Sequence, residues 1–172
     1  GWSHRFWEET APTWADRVDR SGPDYLSPIA TALLQVRPEP ERALDIGTGL
    51  GDAALLVARE FPHARVRGVD LSEEMVRRAQ GRIGLDPEGR VAFKQGGPRR
   101  LPYPDDHFDL VVQAGGGLHP AAIAKVLRPG GRLILTGGRR LLDWRLRSAG
   151  FEALESGEVG GARFHLARLH GD

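Results

Sequence analysis

The chain has 172 residues, 40% of them hydrophobic and 27% charged, and its formal net charge is +1 at pH 7. This size and composition indicate one soluble globular domain that buries its own core. The near-neutral charge gives no reason to expect a nucleic acid or a membrane surface as a partner. The chain has no cysteine, which excludes disulfides and thiolate catalysis and is compatible with the cytoplasm, where we expect the protein.

Residues 2–20 carry four large aromatic rings among charged side chains, including Trp7 and Trp14. Such rings can dock a helix on the core. They can also form a lid, because aromatic rings at the mouth of a site exclude water and contact cations. We therefore predict a helical cap at residues 1–40, with Trp7 and Trp14 as its lid residues, and a core at residues 41–172.

Residues 42–58 are typical of a buried strand, a tight turn and a helix. The strand is predicted at Arg42–Ile46, and the turn carries Gly47, Gly49 and Gly51. Glycine lets the backbone turn sharply and lets a ligand approach the main chain. The helix that follows presents free N–H groups and the positive end of its dipole to that ligand.

Two carboxylates flank this glycine turn, Asp45 before it and Asp52 after it. The spacing G-x-G-x-G also differs from the G-x-G-x-x-G of dinucleotide sites, and no G-K-[ST] follows as in phosphate-binding loops. Two carboxylates would repel a pyrophosphate. They would suit a ligand with a positive charge, such as an ammonium or a sulfonium.

Strands and helices alternate from residue 42 to residue 150. Strand two is predicted at His63–Asp70 and ends in an acid, after which Ser72 caps a helix. The alternation favours an α/β fold with helices on both faces of a mostly parallel, seven-stranded sheet that ends in an antiparallel hairpin. The other predicted elements are helices at 24–36, Gly51–Phe61, Ala121–Leu127 and Arg139–Ser148 and strands at Val91–Gln95, Phe108–Gln113, Arg132–Thr136, Phe151–Glu158 and Ala162–Leu169.

Four stretches of the chain follow one known order and spacing. They are LDIGTGLGD (Leu44–Asp52), GVDLSEEMVRRAQ (Gly68–Gln80), LPYPDDHFDLVV (Leu101–Val112) and KVLRPGGRLIL (Lys125–Leu135). Together they resemble the class I S-adenosylmethionine-dependent methyltransferases of the small-molecule type, over roughly residues 40–170. The resemblance implies a doubly wound, Rossmann-like fold, S-adenosylmethionine as cofactor, and methyl transfer to an O, N or C nucleophile of a small molecule.

Asp70 is the candidate ribose-binding acid, because it follows Gly51 by 19 positions and a carboxylate at the end of strand two can accept from both ribose hydroxyls. The alternative is an acid that only caps the next helix. Leu71 and Met75 are predicted to pack against the adenine ring.

The resemblance also implies main-chain contacts from the glycine turn to the methionine part of the cofactor, with Asp45 near its ammonium group. The alternative for Asp45 is a structural acid that bonds to loop amides. The candidate cofactor residues are Asp45, Gly47, Thr48, Gly49, Gly51, Asp70, Leu71, Met75, Gly97 and Gln113.

The chain departs from the family pattern at two places. The family has an acid after strand three that binds the adenine amine, whereas this chain has Gly97. Losing one such hydrogen bond costs about 0.5–1.5 kcal/mol, so cofactor binding is weakened without being excluded. The family also has a longer loop after strand four, often with paired histidines. The alternative function is therefore a protein of this fold that does not methylate, either a cyclase-type enzyme or a binding or partner-dependent protein.

His119 is the candidate catalytic residue, because its imidazole titrates near neutral pH and can act as a general base. The alternative is a histidine at a helix start that faces solvent. The other histidines lack the spacing of metal ligands, so we predict no metal. The oligomeric state is left open. Six arginines can either recognise an anionic substrate or form solvated faces: Arg99, Arg100, Arg139, Arg140, Arg145 and Arg147.

Overall fold

A computed structural model describes residues 26–137 and 141–171. The predicted lid residues Trp7 and Trp14, and two of the six arginines, lie outside the described residues. None of the helices within these ranges has both the length and the apolar character that crossing a bilayer requires. The elements are, in order, α1 (Ser27–Leu33), β1 (Arg42–Ile46), α2 (Asp52–Glu60), β2 (Arg65–Asp70), α3 (Glu73–Gly81), β3 (Val91–Gln95), β4 (Phe108–Ala114), α4 (Pro120–Val126), β5 (Leu127–Thr136), α5 (Leu142–Ser148), β6 (Phe151–Val159) and β7 (Ala162–Leu169).

The strands form one seven-stranded sheet in the order β3-β2-β1-β4-β5-β7-β6. Strands β1 to β5 pair in parallel, whereas β7 runs antiparallel to both of its neighbours. This confirms the predicted doubly wound sheet with a terminal antiparallel hairpin. The strand order reverses between β1 and β4, and a crevice forms at the carboxyl ends of strands where the order reverses.

The central strands are buried on both faces, as their continuous apolar runs require in a parallel sheet. In β4, Leu110, Val111 and Val112 are fully buried. One core packs α1 and α2 against the sheet and contains Ile29, and a second core on the other face contains Ile123 of α4. Because both faces are covered, ligands can approach mainly along the strand ends.

Strand β5 is longer than predicted, since it begins at Leu127 and not at Arg132. Phe108 pairs with Leu127, but the next pair joins Leu110 to Arg132, so the intervening residues form a bulge in the strand. The Pro-Gly-Gly signal that predicts a turn therefore marks an irregularity inside one strand. The other predicted ends that fall within the described residues differ from the observed ends by three residues or fewer.

Gly51 is a packing residue at the start of α2. Its φ is +85°, in the left-handed region, and a Cβ built on it would lie 2.7 Å from Cζ of Phe93 in β3. The last glycine of the turn therefore lets the start of the helix approach the neighbouring strand closely.

Replacement of this glycine tests that packing. Gly51→Ala should lower the free energy of unfolding by about 2–4 kcal/mol, the sum of left-handed strain and overpacking against Phe93. Gly89 is the matched control, because its φ is +62° and a Cβ at that position would meet open space out to 4 Å. Gly89→Ala should therefore cost only about 1–2 kcal/mol. Equal losses in urea denaturation of the two variants would contradict the packing role.

Candidate functional site

A cavity opens at the carboxyl ends of β1 and β4, where the strand order reverses. Four segments line this cavity: the glycine turn after β1, the end of β2 with the start of α3, the residues after β3, and the end of β4 with its glycine loop. Such crevices bind ligands in open α/β sheets.

Asp70 joins two of these segments through its carboxylate. Its Oδ2 accepts the N–H of Gly49 at 2.9 Å, and its Oδ1 accepts the N–H of Ser72 at 2.9 Å. Each carboxylate oxygen can accept a second hydrogen bond, and Asp70 lines the cavity. The carboxylate of Asp70 thus holds the glycine turn and the start of α3 together. It also lies at the cavity wall, where the hydroxyls of a ligand could reach it.

One wall of the cavity is apolar. Leu71 lies in this wall and leaves 38% of its surface exposed, whereas Met75 beneath it is buried. Pro98 adds a third apolar surface. Gly97 supports this wall from outside, because a Cβ at that position would lie 3.0 Å from Cδ2 of Leu71. The wall suits a flat aromatic group.

Gln113 at the end of β4 has an acceptor atom without a partner. Its Nε2 donates to the carbonyl oxygens of Gly115 at 3.1 Å and of Gly117 at 2.8 Å, which fixes the loop after the strand. Because both partners are acceptors, the nitrogen must face them. The side-chain Oε1 is buried and makes no hydrogen bond, and Gln113 lines the cavity. A donor on a bound ligand would satisfy this oxygen.

Asp45 and Thr48 lie behind the glycine turn and do not line the cavity. The Thr48 hydroxyl donates to Oδ2 of Asp45 at 2.8 Å. The pKa of Asp45 is raised to about 7, chiefly by burial and also by the nearby carboxylates of Asp70 and Asp52, while hydrogen bonds from Thr48 and the Ala54 amide oppose the rise. Asp45 thus holds the turn from within.

Asp52, the second acid that flanks the turn, forms an ion pair with Arg82 at 2.9 Å. It does not line the cavity either. The two flanking acids therefore reach a ligand only through the field of their charge.

His119 lies half-buried at the start of α4, next to the cavity wall without being part of it. Its Nε2 lies 3.4 Å from the position that a Cβ on Gly117 would take. Desolvation and the charges of Arg99 and Arg145 lower the pKa of His119. These effects favour the neutral imidazole, which is the form that can accept a proton.

The structure brings most of the candidate cofactor residues together around one cavity. Those that line it are Gly47, Gly49, Asp70, Leu71, Met75 and Gln113. Those that support it from behind are Asp45, Thr48, Gly51 and Gly97.

The sequence reasoning missed seven lining residues: Ile46, Gly96, Pro98, Ala114, Gly115, Gly116 and Gly117. The first four each directly adjoin a candidate cofactor residue. Ile46 and Ala114 end the two parallel strands between which the strand order reverses, and that position alone could have predicted that they line the cavity.

The sequence matches a known family in the part of the chain that builds this site. Residues 43–131 match the family described as a methyltransferase domain. The 27-O-demethylrifamycin SV methyltransferase of Amycolatopsis mediterranei is 36% identical over 141 residues, which cover 77% of this chain and 49% of that protein.

A second relative is named as a methyltransferase that acts on carbon. The ubiquinone/menaquinone biosynthesis C-methyltransferase UbiE of Geobacter sulfurreducens is 37% identical over 108 residues, which cover 56% of this chain and 41% of that protein. The chain therefore spans about half the length, or less, of these curated relatives.

A solved structure shares the whole architecture. A SAM-dependent methyltransferase from Aquifex aeolicus superposes with a TM-score of 0.74 and covers 92% of this chain and 98% of its own. The sequence identity is 20%, so the likeness concerns the fold. It confirms the Rossmann-like sheet predicted from the sequence.

The burial of Asp45 predicts an unusual dependence of stability on pH. Its pKa is about 7 in the folded protein and 3.8 ordinarily, so the stability it contributes is full below pH 3.8 and is lost as the pH rises through 7. Asp45→Asn removes this loss. The variant should gain about 2–3 kcal/mol more at pH 8 than at pH 5, measured by urea denaturation.

Asp86→Asn provides the control of opposite sign. Asp86 accepts the N–H groups of Arg90 and Val91, and these bonds lower its pKa. That variant should lose stability at both pH values, because the carboxylate is ionised at both. A gain for Asp45→Asn that does not change between pH 5 and pH 8 would show that Asp45 titrates normally.

Proposed function

The chain belongs to the class I S-adenosylmethionine-dependent methyltransferases, and from this premise we propose that it binds S-adenosylmethionine and methylates a small molecule. Family membership rests on the match over residues 43–131 and confirms the resemblance drawn from the sequence motifs. The activity and the acceptor are proposals, because the relatives are longer than this chain.

One observation carries the proposal: the polar side chains of the described residues that line the cavity offer two acceptor groups and no basic group. They are the Asp70 carboxylate and the unpartnered Oε1 of Gln113, and no arginine or lysine occurs among the lining residues of the described chain. A pyrophosphate would meet a carboxylate without a counter-charge. A ligand with hydroxyls, an ammonium and a sulfonium would find one acceptor group for its hydroxyls, one for its ammonium, and a field that favours its positive charge.

The residues present fit S-adenosylmethionine group by group. We infer that Asp70 would accept from the ribose hydroxyls and that Leu71 and Met75 would pack on the adenine ring. The Gln113 Oε1 would accept from the ammonium group. Main-chain groups of Gly47 and Gly49 would contact the methionine part.

Four candidate residues take supporting roles in this proposal. Asp45 and Thr48 hold the glycine turn, Gly51 sets the packing of the turn, and Gly97 leaves room for Leu71. Trp7 and Trp14 stay predicted lid residues, and the cytoplasmic location stays a prediction.

When bound, S-adenosylmethionine would supply an electrophilic methyl group to the acceptor, with its sulfur as the leaving group. The chain contributes chiefly by holding the two reactants in line. Gln113 fixes the loop that ends beside the reaction point. His119 is the candidate base, because its neutral imidazole lies next to Gly117 and could take the acceptor's proton.

The cofactor assignment is tested by titration calorimetry with S-adenosylhomocysteine, the demethylated product. Asp70→Asn should weaken binding about 10- to 100-fold, because hydrogen bonds to a charged acceptor are worth about 1.5–3 kcal/mol each. Asp86→Asn is the matched control, since it also removes a carboxylate that holds two main-chain N–H groups. Its affinity should equal that of the unaltered protein.

No binding of S-adenosylmethionine or its product up to millimolar concentration would contradict the proposal. Where binding is found, the products separate the two kinds of enzyme. A methyltransferase forms S-adenosylhomocysteine only with its acceptor present, whereas a protein of this fold that does not methylate leaves S-adenosylmethionine intact with every acceptor.

A second pair of ligands tests the role of Gln113. Gln113→Leu should weaken binding of S-adenosylhomocysteine about 10- to 100-fold, because the ammonium loses its buried acceptor. Binding of 5′-methylthioadenosine, which lacks the amino-acid part, should not change. Asp70→Asn should weaken both ligands, because both carry the ribose. If Gln113→Leu weakened the affinity for both ligands equally, the Gln113 amide would not bind the ammonium group.

A further inference from the structure

A basic groove adjoins the cofactor cavity. Its two sides are residues 99–105 and the face of α4 that carries Lys125. Arg99 and Arg100 contribute two more positive charges, and Asp105 is the one acid among its lining residues. Pro98 lines the cavity and Arg99, the next residue along the chain, lines the groove.

Among the described residues, the cations of this groove are without carboxylate partners. No Asp or Glu within those ranges lies at ion-pair distance from Arg99, Arg100 or Lys125. Other described arginines do form such pairs: Arg77, Arg78, Arg82, Arg128, Arg163 and Arg168. Like charges that face one groove repel each other, and a bound anion would remove that repulsion.

A second guanidinium, that of Arg145, also lies near His119. The side chain of Arg145, on α5, donates to the carbonyl oxygen of Leu118, which holds it against the start of α4. Both Arg145 and Arg99 are close enough to His119 to lower its pKa. His119 therefore lies in the positive field of two guanidinium groups, which favours its neutral form.

We propose that the methyl acceptor is a small carboxylic acid, whose carboxylate binds Arg99 in the groove while its nucleophile reaches Gly117 beside His119. This inference rests on the proposed function. A guanidinium binds a carboxylate through two parallel N–H donors, which orients the acceptor as well as attracting it. The acceptor would thus be negatively charged and the cofactor positively charged. The acceptor's carboxylate would bind in the groove and the cofactor in the cavity.

The experiment uses a panel of small aromatic carboxylates, each paired with its primary amide, and the chain saturated with S-adenosylhomocysteine. Binding is followed by calorimetry and by chemical shifts of the protein amides. The carboxylates should bind at least about tenfold more tightly than their amides, as expected for one charge-assisted contact. Arg99→Gln should abolish this preference, and Arg99→Lys should retain part of it.

Arg59→Gln is the matched control, because Arg59 is an exposed arginine at the end of α2, outside the groove and the cavity. It should keep the full preference for carboxylates. None of these variants should change the affinity for S-adenosylhomocysteine, which also verifies that they fold.

Two failures are distinguishable. A chain that does not bind S-adenosylhomocysteine contradicts the proposed function. A chain that binds it but shows no preference for carboxylates, or keeps the preference in Arg99→Gln, overturns the acceptor class alone. Tighter binding of the corresponding aromatic phosphate esters, lost in Arg99→Gln, would also overturn the carboxylate and make the acceptor a phosphate ester.

Discussion

The carboxylate of Asp70 is the interaction on which the site depends. It accepts one N–H from the glycine turn after β1 and one from the start of α3, and so joins the ends of two neighbouring strands. Without it, the N–H groups of Gly49 and Ser72 would lose this partner, and only the main-chain bonds from Gly47 and Thr48 to the carbonyl oxygen of Val69 would still join the turn to β2. The same carboxylate faces the cavity, so the group that organises the loop is also the one that can recognise a ligand's hydroxyls. A change at Asp70 is therefore expected to alter both the conformation of the glycine turn and the affinity for the ligand.

The charges around the site are separated into two regions. The cavity combines the Asp70 carboxylate with the amide oxygen of Gln113, while the groove beside it carries Arg99, Arg100 and Lys125. The buried acid behind the turn limits the negative field, because burial raises the pKa of Asp45 to about 7 and favours its protonated form. A cationic cofactor and an anionic acceptor would each find the complementary field, and their opposite charges would favour their approach.

The sequence was a good guide to elements and a weaker guide to individual contacts. Strand β1 and the glycine turn were predictable, because a buried apolar run and closely spaced glycines depend on local chemistry. The start of β5 was not, since Pro129 and Gly130 signal a turn and only pairing with β4 makes the segment a bulged strand. Gly51 is a predicted cofactor residue, and the side chain that a Cβ on it would meet first is that of Phe93, a residue of another strand. Local signals do not report which distant side chain will fill the space beside a glycine.

The sequence by itself determined the order of strands and helices and the parallel sheet, because these follow from periodicity along the chain. It also indicated the family, through the resemblance of four motifs, and the position of the ribose-binding candidate, through its spacing from Gly51. The tertiary structure alone decided which of the candidate residues line the cavity. It turned Asp45 and Thr48 inward and left the amide oxygen of Gln113 without a partner at the cavity. It also brought Arg99 and Arg145, from segments far apart in the chain, close to one histidine. Direction and proximity depend on how elements pack, and packing joins residues that no local pattern relates.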